Sequence, residues 1–252
     1  SGKAAAQARL QWRRHRPLST AATLELEDVR VESEDPELLV AGVNGTLDLR
    51  DLHAAVHTAP HQKISFDSAL VGTVPVDGGA VVFQLENPDS IFLERCRMRW
   101  CGGTATTHAV TVHPSRNDLA LTLYVDAVNL SDLFSLQTLV EGSAEGVLYG
   151  KLPFRYPDGR VSFERGYLYT PPGATGRLQL QQADALFSGL PSESSRIEIV
   201  KETLRDMEYD YLRFDIDTDN NVTPLDITIL GHARNDPSMR AVKLNATIES
   251  NL

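Results

Sequence analysis

The chain has 252 residues, 42% of them hydrophobic, and a formal net charge of −10 at pH 7. This length and apolar content are sufficient to bury a core without a disulfide scaffold, for which the two cysteines are too few. The acidic balance argues against a nucleic-acid partner and against simple electrostatic adhesion to anionic lipid, and no apolar run approaches the roughly 18 residues that span a bilayer.

The first twenty residues are predicted to be an N-terminal arm, partly disordered or helical. An alanine-rich start leads into a basic cluster that contains Trp12 and ends before Pro17. This composition is typical of a solvated terminal arm, and the alternative is a contact with lipid headgroups or a partner. Residues 21–252 are expected to form one β-domain, because no linker divides them. The basic cluster comprises Arg9, Arg13, Arg14, His15 and Arg16.

From residue 23 onward the sequence has the pattern of short strands. Alternating or continuous apolar runs recur at close spacing, and glycine, proline, asparagine or aspartate separates them. This pattern predicts a mainly β fold built as a long antiparallel meander of about fourteen strands. The predicted strands are residues 24–31, 38–43, 46–49, 64–71, 80–85, 91–100, 106–112, 119–125, 147–149, 161–169, 177–181, 209–217, 225–230 and 242–249.

A hairpin in the middle of the chain shows the strand pattern in detail. Pro157 presets one φ and Gly159 allows a positive one, so the residues between strands 147–149 and 161–169 are predicted to form a turn. Side chains of a strand alternate between its two faces, which makes one face of the second strand dry. The residues predicted on this apolar face are Val161, Phe163, Tyr167 and Tyr169.

Three segments depart from this pattern and predict short helices. Residues 131–140 begin with a serine at the N-cap and precede Gly142, whereas residues 195–207 begin with a capping box formed by Ser195 and Glu198. Residues 183–190 predict a further turn or two. Each helix has one apolar face, so each is expected to lie on the sheet.

Apolar residues occupy every second position in strand after strand, so the predicted sheet has one long apolar face. Leaving this face in water would cost many kcal/mol at about 25 cal/mol per Å². Two helices cannot cover about fourteen strands, which at roughly 4.8 Å spacing extend on the order of 65 Å. The sheet must therefore fold over on itself as a sandwich, a barrel or a half-open trough.

No catalytic motif is present, and the sequence predicts a non-enzymatic protein without cofactor or metal. Three histidines spaced four apart would suit a metal on a helix, but a proline interrupts them and their neighbours predict strands. Three alternating aspartates resemble the start of a calcium loop, but Asn220 and Asp226 stand where that loop needs glycine and glutamate. The two groups are His53, His57 and His61, and Asp215, Asp217 and Asp219.

The central hairpin carries a motif with a known counterpart. Residues 146–153 have the form Gly-x-x-x-Gly-x-Leu-Pro and precede Phe154, and Asp-Gly follows at 158–159 and Gly-Tyr-Leu at 166–168. This hairpin resembles that of the YdbH-like proteins, relatives of AsmA and TamB in Gram-negative bacteria. Further motifs resemble the same family in the same order over most of residues 40–252. They are residues 43–46 (VNGT), 58–62 (TAPHQ), 83–85, 101–103 (CGG), 209–212, 231–237 and 244–245.

The resemblance implies an elongated, twisted β-trough or incomplete barrel that carries phospholipid between the inner and outer membranes. Acyl chains would lie in an apolar groove while headgroups stay in water. The resemblance further implies a periplasmic location, with this chain as the C-terminal portion of a longer protein that a segment absent here anchors in the inner membrane. The family's older "dicarboxylate transport" label finds no support, because a dicarboxylate needs basic, polar ligands and solute transport needs membrane spans.

The residues predicted on the apolar face of the sheet are the candidate lining of such a groove. In an open groove these side chains would contact acyl chains, whereas in a closed sheet they would form a core. The candidates are Ile64, Phe66, Leu70, Val81, Phe83, Leu85, Leu121, Leu123, Val161, Phe163, Leu212, Phe214, Ile216, Ile227 and Ile229.

The strand at 242–249 is expected to be a sheet edge, because it ends the meander. Lys243 is its only basic residue, so little discourages the addition of a further strand. The resemblance implies that a small outer-membrane lipoprotein donates that strand, and self-association of the isolated chain is the alternative. The side chains of one face of this edge are Val242, Leu244, Ala246 and Ile248.

Two other functions compete with lipid transport. One is a non-catalytic periplasmic scaffold or outer-membrane assembly factor that holds protein partners on its β-surface. The other is a polysaccharide-binding or hydrolysing β-domain, for which Trp100 and residues 167–169 supply candidate aromatics but no acid pair has suitable spacing.

Overall fold

The computed structural model describes residues 2–15, 18–34, 37–53, 55–72, 74–116, 118–136, 141–157, 161–181, 195–219, 222–235 and 241–250. Within these ranges the chain forms 19 strands, two α-helices and one 3-10 turn. All strands belong to one antiparallel sheet, which is not closed. The predicted fold class, a mainly β antiparallel meander with short helices, is confirmed.

The elements follow one another closely along the chain. The helices are α1 (Leu130–Ser135) and α2 (Ser195–Arg205), and the 3-10 turn is Pro114–Arg116. The strands are β1 (Lys3–Gln11), β2 (Ser19–Glu34), β3 (Glu37–Arg50), β4 (His57–Thr58), β5 (Gln62–Phe66), β6 (Ser68–Val71), β7 (Val74–Val76), β8 (Gly79–Asn87), β9 (Ser90–Trp100), β10 (Gly103–Val112), β11 (Asp118–Asn129), β12 (Gly142–Glu145), β13 (Val147–Pro157), β14 (Ser162–Phe163), β15 (Gly166–Tyr169), β16 (Gly176–Leu180), β17 (Met207–Ile216), β18 (Thr223–Ala233) and β19 (Val242–Ser250).

The chain divides into two compact units. Unit 1 comprises Ser1–Trp100, Thr104–Leu123 and Pro153–Ser162, and unit 2 comprises Cys101–Gly103, Tyr124–Leu152 and Phe163–Leu252. In unit 1, β2 pairs with β1 and β3, β3 with β4, β5 and β6, β6 with β7, and β8 with β5 and β9. In unit 2, β17 pairs with β15, β16 and β18, β13 with β15, β12 with β16, and β18 with β19.

Strand β1 corrects the expectation of a helical or disordered arm. Its even-numbered residues are apolar, and Ala4 pairs with Leu26 and Ala6 with Leu24. This two-residue period places them beside the apolar face of β2, and the pairing outweighs the helix propensity of alanine. Residues 16–17 of the predicted arm lie outside the described residues.

Both helices form close to their predicted starts. α1 begins at Leu130, so the predicted N-cap Ser131 lies inside the helix; Asn129 is the N-cap and makes no side-chain capping hydrogen bond. α1 covers the first part of residues 131–140 and packs against β12. α2 begins at Ser195, the predicted capping-box residue, and packs on β16 and β18. The turn predicted at 183–190 lies outside the described residues.

Candidate functional site

In unit 1 an apolar row crosses six strands. Partners in an antiparallel register lie on the same face of a sheet. The register therefore places one residue of each of six strands, from β1 to β9, in a single line, in which Gly45 contributes no side chain. The row consists of Ala4, Leu26, Gly45, Ile64, Val81 and Cys96.

Neighbouring rows extend this apolar face, and the opposite face is polar. Phe83 pairs with Leu93 and Leu85 with Ile91, on the same side of β8 as Val81. One residue along each strand, the opposite face carries Glu25, Thr46, Lys63 and Arg95, all of them exposed, with the half-buried Val82 between Lys63 and Arg95.

The apolar face of unit 1 is half-buried and retains contact with solvent. Five predicted lining residues lie on it in β5 and β8, and none of them reaches the burial of a core side chain. Leu121 and Leu123 on β11 are half-buried as well. Leaving this apolar area in water costs roughly 25 cal/mol per Å², which a bound apolar ligand would recover. The five residues are Ile64, Phe66, Val81, Phe83 and Leu85.

The strands that carry this face bend at residues with positive φ. Asp28 has φ 52° and Gly42 has φ 67°, and the β2–β3 register shifts beside both. The Asn44 side chain accepts a hydrogen bond from the Asp28 amide at 3.0 Å and donates one to the Gly42 carbonyl at 2.8 Å. Bulges of this kind bend a strand and increase its twist. The VNGT motif at residues 43–46 thus fixes the curvature of the apolar face.

Unit 2 continues the same alternation but covers part of its apolar face. In register, Leu212 pairs with Ile229, and Ile229 with Leu244. Leu212 and Ile229 are only 3% and 5% exposed, and Leu204 of α2 is buried as well. One end of this face is therefore a closed core. The predicted lining residues Phe163, Phe214, Ile216 and Ile227 remain half-buried.

The comparison with known proteins bears on this half-buried apolar face. The sequence model of the YdbH-like family, described as intermembrane phospholipid transport protein YdbH, matches residues 1–252. The chain belongs to the YdbH-like family. No curated protein and no solved structure matches it. Within the described ranges no helix has the length and apolarity needed to cross a membrane.

In the central hairpin of this YdbH-like chain, two tyrosines lie on the face opposite to the one predicted. Tyr167 and Tyr169 do not lie on the apolar face, because Tyr167 pairs with Lys151 and Asp215 on the polar face, whereas Leu168 is 3% exposed. The cause is a bulge at Arg165, whose φ is 52°. The Phe163 carbonyl accepts a hydrogen bond from the Thr218 amide, and Gly166 pairs with Ile216. The chain therefore advances three residues from Phe163 to Gly166 while the partner strand advances only two, which leaves one extra residue in the bulge.

Two other predicted lining residues lie apart from the apolar row. Leu70 pairs with Leu39 and Pro75 and is 37% exposed. The neighbouring pair of Val40 and Ala69 continues the face of Val31, so Leu70 points to the opposite side. The predicted strand at 64–71 is divided at Asp67, and parity does not carry across the bend. Val161 is 36% exposed and precedes β14.

Polar groups singled out by the sequence have structural partners. His61 Nδ1 lies 2.6 Å from Glu94 Oε2, and His57 Nδ1 lies 2.8 Å from a backbone carbonyl. Asp215 forms a bidentate ion pair with Arg213, and Asp217 accepts a hydrogen bond from the Arg165 amide. Across the described parts of the chain, no three His, Cys, Asp or Glu side chains gather as metal ligands.

Tyr167, an aromatic residue considered for a polysaccharide site, packs against two cations. Its ring lies 5.0 Å from the Arg213 guanidinium and 5.7 Å from the Lys151 ammonium, measured from the ring centroid. A stacking platform for sugars needs exposed ring faces, so Tyr167 does not favour that function. The indole nitrogen of Trp100 is buried without a hydrogen-bond partner.

Sequence reasoning missed a buried tyrosine that organises unit 2. Tyr209 is fully buried, and its Oη donates a hydrogen bond to the Glu145 carbonyl at 2.8 Å. Burial, reinforced by the Glu145 charge, raises the pKa of Tyr209 to about 12. Gly146 and Gly176 flank the hydroxyl so closely that a Cβ on either would lie 2.1 Å from it. The first glycine of the family hairpin is therefore required by a residue more than sixty positions away.

Proposed function

We propose that the apolar face of unit 1 binds phospholipid acyl chains during transport between the two membranes of a Gram-negative envelope. The observation that carries this proposal is the apolar row across six strands, whose side chains on β2, β5, β8 and β9 are only half-buried. A soluble domain gains no stability by keeping such a face open, but an acyl chain can dock along it and leave its headgroup in water. The family membership supports the same function.

The proposed lining follows from exposure on the two units taken separately. In unit 1 it comprises the half-buried residues of β5, β8 and β11, and in unit 2 those of the open end of the face. Leu212 and Ile229 are assigned to the closed core of unit 2 and not to lipid contact. The proposed lining residues are Ile64, Phe66, Val81, Phe83, Leu85, Leu121, Leu123, Phe163, Phe214, Ile216 and Ile227.

The protein acts in this proposal as a non-enzymatic conduit in the periplasm. The alternation of apolar and polar faces provides a binding surface without requiring a catalytic group. A longer protein, anchored in the inner membrane by a segment outside this chain, would form the bridge. The rival proposal of a protein scaffold or assembly factor requires no bound lipid.

Replacing Phe83 with glutamate tests the groove. The charge would stand in the path of the acyl chains, and because Phe83 is half-buried the fold should survive. We expect native mass spectrometry to detect co-purified phospholipid on the wild-type chain and at least tenfold less on the variant. Thermal unfolding should shift by only a few degrees.

Val82→Glu is the matched control. Val82 is also half-buried, but it pairs with Lys63 and Arg95 on the polar face, where a carboxylate finds cations. This variant should retain lipid. Equal lipid retention by both variants, or no lipid on the wild-type chain, would refute the groove and favour the scaffold.

We also propose that β19 accepts a strand from another chain. All nine of its residues register with β18 in an antiparallel ladder. Lys243, Asn245 and Thr247 are exposed, while Leu244 and Ala246 are half-buried, as in a strand with one face on the sheet. A small outer-membrane lipoprotein is the partner that the family resemblance favours, and a second copy of this chain is the alternative.

Proline scanning tests this edge. Amides of neighbouring residues on an edge strand point alternately to the paired strand and outward. Proline at Asn245 and proline at Ala246 should therefore differ: one should destabilise the fold, and the other should leave it intact and abolish pairing. Pairing is measured by partner pull-down and by analytical ultracentrifugation. If the well-folded variant still pairs as the wild-type chain does, the edge is not the binding site.

A further inference from the structure

The β1–β2 hairpin ends in an exposed cluster that the groove proposal does not use. We call this cluster the hairpin tip, and Arg50 lies beside it on β3. Every described side chain of the tip is exposed. The hairpin tip consists of Arg9, Leu10, Trp12, Arg13, Arg14 and His15.

The apolar part of the hairpin tip is unusually exposed. Trp12 is 79% exposed and Leu10 is 70% exposed, the two highest values among the large hydrophobic residues described. Leu52 is exposed too, and its loop is held beside the tip by a hydrogen bond from the Asp51 amide to the carbonyl of Thr20, the register partner of Leu10, at 2.8 Å. Water-exposed tryptophan and leucine at a loop end are typical of a surface that a partner covers.

The charge of the hairpin tip is opposite to that of the chain. Arg9 and Arg50 both pair with Ala21, so they stand on one face about 10 Å apart at two strand spacings. Arg13 and Arg14 follow in the turn. Among the described residues, none forms a side-chain hydrogen bond or an ion pair with the guanidinium groups of these four arginines. A chain with net charge −10 thus concentrates uncompensated positive charge beside its most exposed tryptophan.

We propose that the hairpin tip docks on the surface of an anionic phospholipid bilayer. Arginines would pair with lipid phosphates, and the amphipathic ring of Trp12 would lie at headgroup level beside Leu10, the arrangement that anchors proteins at membrane interfaces. This is a contact with the membrane surface, separate from acyl-chain binding in the groove, and it does not depend on that function. It replaces the expectation from overall charge, because local charge decides adhesion within a Debye length of about 8 to 10 Å.

Trp12 itself can report the docking. The chain contains two tryptophans, so Trp100→Phe leaves Trp12 as the only indole. Adding vesicles that contain phosphatidylglycerol should shift its emission to the blue, and vesicles of phosphatidylcholine alone should not. High salt should reverse the shift. Replacing both Arg13 and Arg14 with alanine should weaken vesicle binding about 30-fold, since each basic residue near an anionic surface contributes about 1 kcal/mol.

Two control variants separate this site from others. Arg95→Ala with Arg97→Ala removes the same charge from the exposed face of β9 and should leave vesicle binding unchanged. Phe83→Glu should also retain vesicle binding, so a failure of the groove proposal leaves this one standing. The proposal is overturned if the β9 pair weakens binding as much as the tip pair. It is equally overturned if Trp12 emission does not respond to anionic vesicles while a soluble polyanion such as heparin binds the chain.

Discussion

Replacing Gly176 with alanine is expected to destabilise unit 2 by about 3 kcal/mol, the upper range for overpacking a core. The new Cβ would lie 2.1 Å from Tyr209 Oη, 2.2 Å from Cζ and 2.4 Å from the Glu145 carbonyl oxygen. The ring cannot move away, because it is fully buried and its hydroxyl is hydrogen-bonded to that same carbonyl. The backbone at Tyr209 is tightly packed too, since a Cβ on Gly231, its register partner on β18, would lie 2.7 Å from Tyr209 Cα.

Two variants separate this clash from smaller effects. Gly173 has φ +82°, and a Cβ added there would meet nothing within 4 Å, so alanine at this position tests backbone strain alone and should cost about 1 kcal/mol. Tyr209→Phe removes only the hydrogen bond and should cost about 1 to 2 kcal/mol. Urea unfolding measures all three variants. A free energy of unfolding for Gly176→Ala close to that of Gly173→Ala would contradict the predicted clash with Tyr209.

The close packing of glycines around Tyr209 shows one limit of prediction from sequence. Alternation is a local signal, so the fold class and the apolar faces of β5, β8, β17 and β18 could be predicted. This packing depends on residues that are distant in sequence, because Gly146, Gly176 and Gly231 come from different parts of the chain and meet only around Tyr209. Each glycine alone is consistent with an ordinary turn or bulge, and only their meeting explains all three.

Bulges mark a second limit. Asp28 and Arg165 adopt positive φ without being glycine, and each shifts the parity of its strand by one residue. The sequence gives only a weak signal at Asp28, since aspartate is enriched among non-glycine residues with positive φ, and it gives none at Arg165. This is why alternation alone places Tyr167 on the same face as Phe163, although the bulge between them turns Tyr167 to the polar side.

The distinction between an open face and a closed core could not be predicted either. Phe83 and Leu212 have the same alternating surroundings in the sequence, yet Phe83 is half-buried and Leu212 is 3% exposed. The difference arises in unit 2, where α2 packs on β16 and β18 and the described core includes Leu204 and Met207. A periodic pattern specifies which side chains share a face, but not what lies above that face.

Leu212→Glu should therefore behave quite differently from Phe83→Glu. A carboxylate at Leu212 would be buried among apolar neighbours without a cation, which costs about 4 kcal/mol or more and should unfold unit 2. Phe83→Glu should cost only about 1 kcal/mol, because the residue gives up partial burial and its new charge can reach water. Leu212→Met, which conserves volume, is the control and should cost less than about 1.5 kcal/mol. Urea unfolding of the purified variants provides the comparison. If both glutamate variants unfold alike, the face of unit 1 is a closed core and acyl chains cannot enter it.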